Sequence, residues 1–505
     1  MNHFGILGLI PFVIGIGVLL WQRDIILSII GCLILGSIFL ARFNPFIGFF
    51  RTAGEIVTGA LINSSSIATL IIIIESFILF ALLNRGGFIT SFTRGISTRK
   101  FERSILEIIV LSSSVLIFIN RYIASLLVGL FTRPFAEKKK LSPVRHSYII
   151  NTVSSSVATL IPLTTLTPLT IGAIGTSFQS LGIQFSPIKA IVLSLPYQFF
   201  TIFALFNVVA IILLKKEIPL VKYIDFLKRD RILSVNFTSE TGLKPDFRKA
   251  TYGIGASLGV VFGSIAAGLI FMKNASGVFS AGSLQPMQIV FINALFTGIV
   301  FTIIYLILTR VMDYAHFKLE PDGFYSKLFS IFIYIILSMS AGVLARKLEI
   351  HTGLFKGLTG HPVSIQAVPL VVFVLSTIVS FAGGSAPLTI ISVIPIALRI
   401  TSSNMSDPLL MNSWVFATIG AVLSGAAFGD INSPLSVNFI LSTVSTNAPL
   451  TGHFLSQLIP SFIAYLSSIL FGYLLLMINV KPFLSIATGF LAISISMYFL
   501  APDRE

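Results

Sequence analysis

Charge is scarce in this sequence. Only 10% of its 505 residues are Asp, Glu, Lys or Arg, against about 25% in an ordinary soluble domain. Acidic residues are the scarcer kind, 19 against 34 basic ones. So few charges cannot cover a soluble globule of this length. That excludes a cytosolic enzyme, a secreted module and a disordered scaffold. The single cysteine, Cys32, excludes an internal disulfide and a cysteine metal centre. The six histidines form no i, i+4 pair, and no P-loop or nucleophile-elbow pattern occurs. Neither an enzyme nor a cofactor or metal site is expected.

What is abundant is apolar. Hydrophobic residues make up 55% of the chain, and the mean hydropathy is +0.96. A membrane span needs about 20 apolar residues. Candidates are 4–20, 25–41, 65–84, 104–132, 147–177, 187–214, 250–272, 287–309, 328–345, 364–400, 411–446, 455–479 and 482–500. The first has no Lys or Arg ahead of it and no A-x-A site, so it is expected to be a retained span and not a signal peptide. Gly255, Gly259 and Gly263 are spaced by four and predict a helix-packing face.

The net charge of +15 comes from loops. Nineteen of the 34 basic residues fall in 85–103, 133–146 and 215–249. That is the pattern of cytoplasmic loops in a multi-pass inner-membrane protein, not of a nucleic-acid-binding face. Only 104–132 lies between the first two loops. About 29 helical residues span roughly 43 Å, enough for one crossing but not two. With both loops on one side, the segment must dip in and return. The expectation is a re-entrant hairpin with its tip near Ser112–Arg121.

The segment 147–177 carries Pro162 and Pro168 and is rich in hydroxyls, which predicts a broken helix. The theme recurs. Phe381-Ala-Gly-Gly-Ser-Ala-Pro387 interrupts 364–400, and Gly425-Ala-Ala-Phe-Gly-Asp-Ile-Asn-Ser-Pro-Leu-Ser436 interrupts 411–446. The expected fold is an all-α polytopic membrane protein of one transporter domain, 1–505. It comprises two inverted repeats, each with a re-entrant hairpin and a broken transmembrane helix. Their cores would be 65–214 and 250–479, joined by a cytoplasmic linker at 215–249. Matched interrupted segments in two opposed halves point to a secondary transporter with its site at the midplane.

Ionisable residues inside spans are costly and mark candidate sites. Asp430 leads, beside Asn432, Ser433 and Ser436. It suits a hard cation or a proton, or caps a helix break. Arg121, after Asn120 at the proposed tip, could pair with Asp430, bind a substrate carboxylate, fill a cation site permanently or snorkel to water. Glu75 is a lone carboxylate in an apolar run, a proton carrier or an interhelical hydrogen-bonding group. Glu107 is expected at the interface. Asn151, Ser154, Ser155, Ser156, Thr164 and Thr165 offer neutral oxygens for a solute or for the helix break.

Several stretches resemble the NhaC-type sodium/proton antiporter family. They are Leu83-Asn-Arg-Gly-Gly, Phe118-Ile-Asn-Arg-Tyr, Leu141-Ser-Pro-Val-Arg-His and Gly420-Ala-Val-Leu-Ser-Gly-Ala-Ala-Phe-Gly-Asp-Ile-Asn-Ser-Pro-Leu-Ser. Phe381-Ala-Gly-Gly-Ser-Ala-Pro is similar more loosely, and the resemblance covers about 65–475. It implies cation/proton antiport by alternating access. Asp430 would be the ion site, and Asn120, Asn151, Ser433, Ser436 and Asn438 its neutral lining. The departures are specific. Asn120-Arg121 stands where the family has Asp-Asp, and Asn151-Thr152 replaces Asp-Ser. Val437-Asn438-Phe439 replaces Asp-Thr-Thr, so of the acidic motif positions only Asp430 remains. Two rival readings follow: proton-coupled transport of an organic anion or amino acid on Arg121, and a degenerate, non-transporting paralogue. The partners implied are Na+, H+ or a carboxylate, membrane lipid and no nucleic acid, with a homodimer permitted.

Overall fold

The computed structural model describes residues 4–97, 102–218, 245–274, 285–311, 324–356, 363–405 and 413–502. Arg99, Lys100, His316, His361 and most of the 215–249 linker lie outside them. Every regular element among the described residues is helical. Among the described residues nine helices are long and apolar enough to cross a membrane, or eleven when each bent pair counts as one. Their outer surface is lined with exposed Ile, Leu and Phe, such as Phe271, Leu308 and Phe499. That is the surface a bilayer requires of a multi-pass membrane protein.

The interruptions read from the sequence fall where glycine, proline and hydroxyl residues stand. Helix Arg103–Leu116 stops, Ile117–Asn120 is irregular, and the chain resumes at Arg121. Asn120 caps the new start, accepting from the N–H groups of Tyr122 (2.9 Å) and Ile123 (3.3 Å). The second arm ends with Gly129–Lys138. The next helix, Pro143–Leu160, breaks over 161–166 before Thr167–Leu181. Thr164 Oγ1 donates to the carbonyl of Ala158 (2.7 Å), so a hydroxyl does satisfy backbone at the break.

The order repeats downstream. Val368–Gly383 and Ala386–Ser403 meet at a Gly384–Ser385 turn, and Ser413–Asn432 is separated from Val437–Thr446 by 433–436. Gly384 has φ +59°, and an added Cβ would lie 2.6 Å from the Leu435 backbone. The second turn thus sits directly on the second break, and only glycine fits there. Gly129 plays the same part for the first pair, since its added Cβ would meet Ser445 Oγ at 1.9 Å. Close approach at these two places, to backbone at Gly384 and to the Ser445 side chain at Gly129, draws both helix pairs onto the second broken helix.

Three features differ from the sequence reading. Residues 45–62 form a further helix, which turns 120° from Ile25–Leu40. Its hydropathy is diluted by Arg51 and Glu55, which pair with each other, and Glu55 also takes Lys347 at 2.5 Å. Gly255, Gly259 and Gly263 have nothing packed against them among the described residues. Helix Phe247–Asn274 meets Gln285–Leu308 instead through Ser257–Thr302 (2.9 Å) and Val261 against Gly298. Glu107, expected at the interface, is completely buried. Arg145 compensates it with two bonds of 2.9 and 3.0 Å.

Candidate functional site

The two breaks bring Arg121 and Asp430 together. Arg121 Nε lies 3.1 Å from Asp430 Oδ2, with side-chain exposures of 2% and 4%. The guanidinium neither snorkels to water nor stands alone. Its Nη2 donates to the Tyr122 hydroxyl (2.7 Å), and its Cζ sits 4.4 Å from the Tyr122 ring centroid. Asp430 also accepts from Ser155 Oγ (2.8 Å) and Ser436 Oγ (3.4 Å). Its carboxylate is therefore met by one cation and two hydroxyls, drawn from the first tip and both broken helices.

Behind it lies an amide lattice. Asn438 Nδ2 is within donating distance of Asn151 Oδ1 (2.9 Å), Ser155 Oγ (2.8 Å) and Ser154 Oγ (3.1 Å). Ser125 Oγ donates to Asn438 Oδ1 (2.8 Å). Asn151 Nδ2 reaches the Ile431 carbonyl (2.8 Å) and Gln457 Oε1 (3.0 Å). Gln457 donates to the same Ile431 carbonyl. The carbonyl beside Asp430, left over as its helix ends, thus has two amide donors. Each amide group here has its partner, which holds the unwound backbone in one arrangement.

Other expected residues stay apart. Ser433 Oγ accepts from Leu435 N (3.2 Å), and Asn432 Nδ2 donates to the Phe428 carbonyl (3.0 Å); both serve their own turn. The buried Asn432 Oδ1 has no hydrogen-bond partner among the described residues. Glu75 lies on Ser64–Arg85, half-buried, with its Oε2 unbonded, and joins neither Asp430 nor Arg121. Ser125, Tyr122 and Gln457 were missed. Only Ser125 left a sequence signal, a hydroxyl four positions past Arg121, and it falls in a π-helical stretch, Ala124–Val128.

A family model described as the Na+/H+ antiporter family matches residues 157–477. The chain belongs to that family. It is a transporter family and not a class of enzymes. An uncharacterized protein of Haemophilus influenzae is 22% identical over 473 residues, which cover 89% of this chain and 87% of that one. The match takes in Asp430 but begins beyond Arg121 and Asn151.

This family member carries a cavity of about 200 Å3 beside the ion pair. Asn120, Arg121 and Tyr122 form part of its wall, with Thr165, Ser338, Ser385 and Val437. Arg346 lines it too. Among the described residues its charged lining is these two arginines, with no carboxylate. Glu55, whose partner Lys347 adjoins Arg346 in the chain, is already bonded to Lys347 and Arg51. Glu75 is not part of the wall.

Proposed function

We propose that this antiporter-family protein is a secondary transporter of the inner membrane. It works by alternating access and carries a small carboxylate-bearing solute on Arg121, with a proton taken up at Asp430. The observation that supports this cargo is the charge of the cavity wall: two arginines and no acid among the described residues. Such a wall repels free cations and concentrates anions. A guanidinium suits a carboxylate through parallel N–H donors.

The ion pair suggests how coupling works. Arg121 neutralises Asp430 at 3.1 Å. A solute carboxylate that takes over the guanidinium leaves Asp430 buried and unpaired. An uncompensated buried charge costs about 3–5 kcal/mol, so a proton binds along with the solute. The site is neutral empty and neutral loaded, and uptake moves no net charge.

The order of elements supports two repeats of opposite sense, 65–214 and 250–479, each with a re-entrant pair and a broken helix. Helix Ser64–Arg85 starts at the cavity and ends at a basic loop. The positive-inside rule puts that loop in the cytoplasm, so the cavity opens to the outside.

Cation/proton antiport is the second reading, favoured by the family. It needs Arg121 to leave Asp430, whose ring of Ser155 and Ser436 oxygens then receives Na+ or H+. Proteoliposomes separate the two. Acid-stimulated uptake of a carboxylate, lost in Arg121→Gln and indifferent to sodium, supports the first. Sodium-driven proton exit abolished in Asp430→Asn, without carboxylate flux, supports the second. No flux of either kind leaves a non-transporting paralogue.

A further inference from the structure

A second buried ion cluster lies at the opposite end of the first broken helix. Arg145 is 0% exposed. Its Nε and Nη2 bond both oxygens of Glu107 at 2.9 and 3.0 Å. Its Nη1 bonds Glu217 Oε1 (3.1 Å) and the Lys216 carbonyl (2.5 Å). Arg103 closes the ring, 3.0 Å from Glu217 and 3.4 Å from Glu107. The four charges cancel. The backbone N–H of Glu217 donates to the Pro502 carbonyl (2.8 Å). The cluster therefore ties together the first arm of the helix pair, the start of the broken helix, the residues leading into the linker and the C-terminal end.

Its position matters as much as its chemistry. Arg145 precedes Ser155 by ten helical residues, roughly 15 Å along the axis, about half the thickness of a bilayer core. The interval is polar and closed. Ser147 and Thr443 hydroxyls lie 3.0 and 2.8 Å from His453 Nδ1, and all three residues are buried. The cavity lies on the other side of the Arg121–Asp430 pair.

Energetics make a purely structural role a poor explanation. Buried ion clusters replaced by apolar side chains of similar volume often cost nothing or even gain stability, whereas removing a single partner is costly. Charges are useful where a contact must open into water, because water then solvates what the partner releases. We infer that the Arg145–Glu107–Glu217–Arg103 cluster is the cytoplasmic gate. It is locked while the cavity faces outward and parts when the site turns inward. This rests on the alternating-access reading above, but not on the identity of the cargo.

Cysteine accessibility tests the gate without a substrate. In a Cys32→Ser background, Ser66→Cys reports the outer cavity and Ser147→Cys the closed interval. Each is labelled with a membrane-impermeant maleimide in vesicles of known orientation. Arg145→Gln is expected to speed cytoplasmic labelling of Ser147→Cys about fivefold or more and to slow outer labelling of Ser66→Cys by a similar factor, a coupling of the usual size. Glu217→Gln, whose acid is partly exposed, gives the same test if Arg145→Gln does not fold. Opposite movements of the two rates support the gate. Rates that rise together indicate loosening, and that result, unchanged rates, or a change at one site alone overturns it. Carboxylate and sodium flux in the unmodified protein tests the cargo separately.

Discussion

Removing one partner of the Arg121–Asp430 pair is the most direct perturbation of this protein. At 3.1 Å, two unit charges attract by about 5 kcal/mol at an effective dielectric of 20. Desolvation offsets much of that gain, so the pair itself adds little net stability. Breaking it is different, because the survivor stays charged in a site only a few per cent exposed. Arg121→Gln and Asp430→Asn should each cost about 3–5 kcal/mol. The double variant Arg121→Gln/Asp430→Asn leaves no orphan charge and should recover most of that loss. Unfolding in detergent, followed by the fraction remaining monodisperse after heating, should place both single variants well below the parent. The double variant should lie close to the parent. With the double variant close to the parent, the coupling energy from the cycle should approach the sum of the two single losses, roughly 5 kcal/mol or more. Additive losses, with the double variant worse than either single one, would refute a coupled buried pair. They would also remove the basis for the coupling scheme.

Other expectations follow from neighbouring geometry. Asn438→Leu orphans Asn151 Oδ1, while Ser125 keeps Ser154 and Ser155 keeps Asp430; it should destabilise by about 1–3 kcal/mol, the cost of one orphaned group, read by the same heating assay. Gly384→Ala meets Leu435 backbone at a positive φ and should lower transport more than expression, by roughly tenfold for 1.4 kcal/mol of strain. Arg346→Gln should raise the KM for an anionic solute several-fold and flatten its dependence on ionic strength, with kcat little changed; an unchanged KM would count against anion attraction by the cavity. Glu75→Gln, outside the cavity wall and unbonded to the pair, should leave the proton dependence of uptake intact. Loss of that dependence would move the proton site away from Asp430.

Local windows of sequence carried much of the architecture. Hydropathy and the placement of basic residues gave the helical membrane class. Gly384, the 161–166 stretch and Ser433–Ser436 marked real interruptions, because proline, glycine and hydroxyls act on the backbone beside them. The helix at 45–62 was illegible because an ion pair within it and a lysine from elsewhere neutralise charges that hydropathy counts as exposed. Glu107 was misread for the same reason. Its neighbour Arg103 is visible in sequence, but its main partner, Arg145, arrives from another helix. Gly255, Gly259 and Gly263 show the reverse error, a familiar spacing with none of the described residues packed against it.

The sequence by itself determined the solvent this chain folds in and which polar residues stand at helix breaks. These are properties of single segments and their immediate neighbours. Tertiary structure alone decided that Arg121 meets Asp430, that Gln457 and Asn151 share one carbonyl, and that Ser125 bonds Asn438, 313 positions away. A break leaves backbone and side chains in need of partners, but nothing local says which distant group supplies them. Only the packing of distant elements, such as that of both helix pairs on the second broken helix at Gly129 and Gly384, selects the partner.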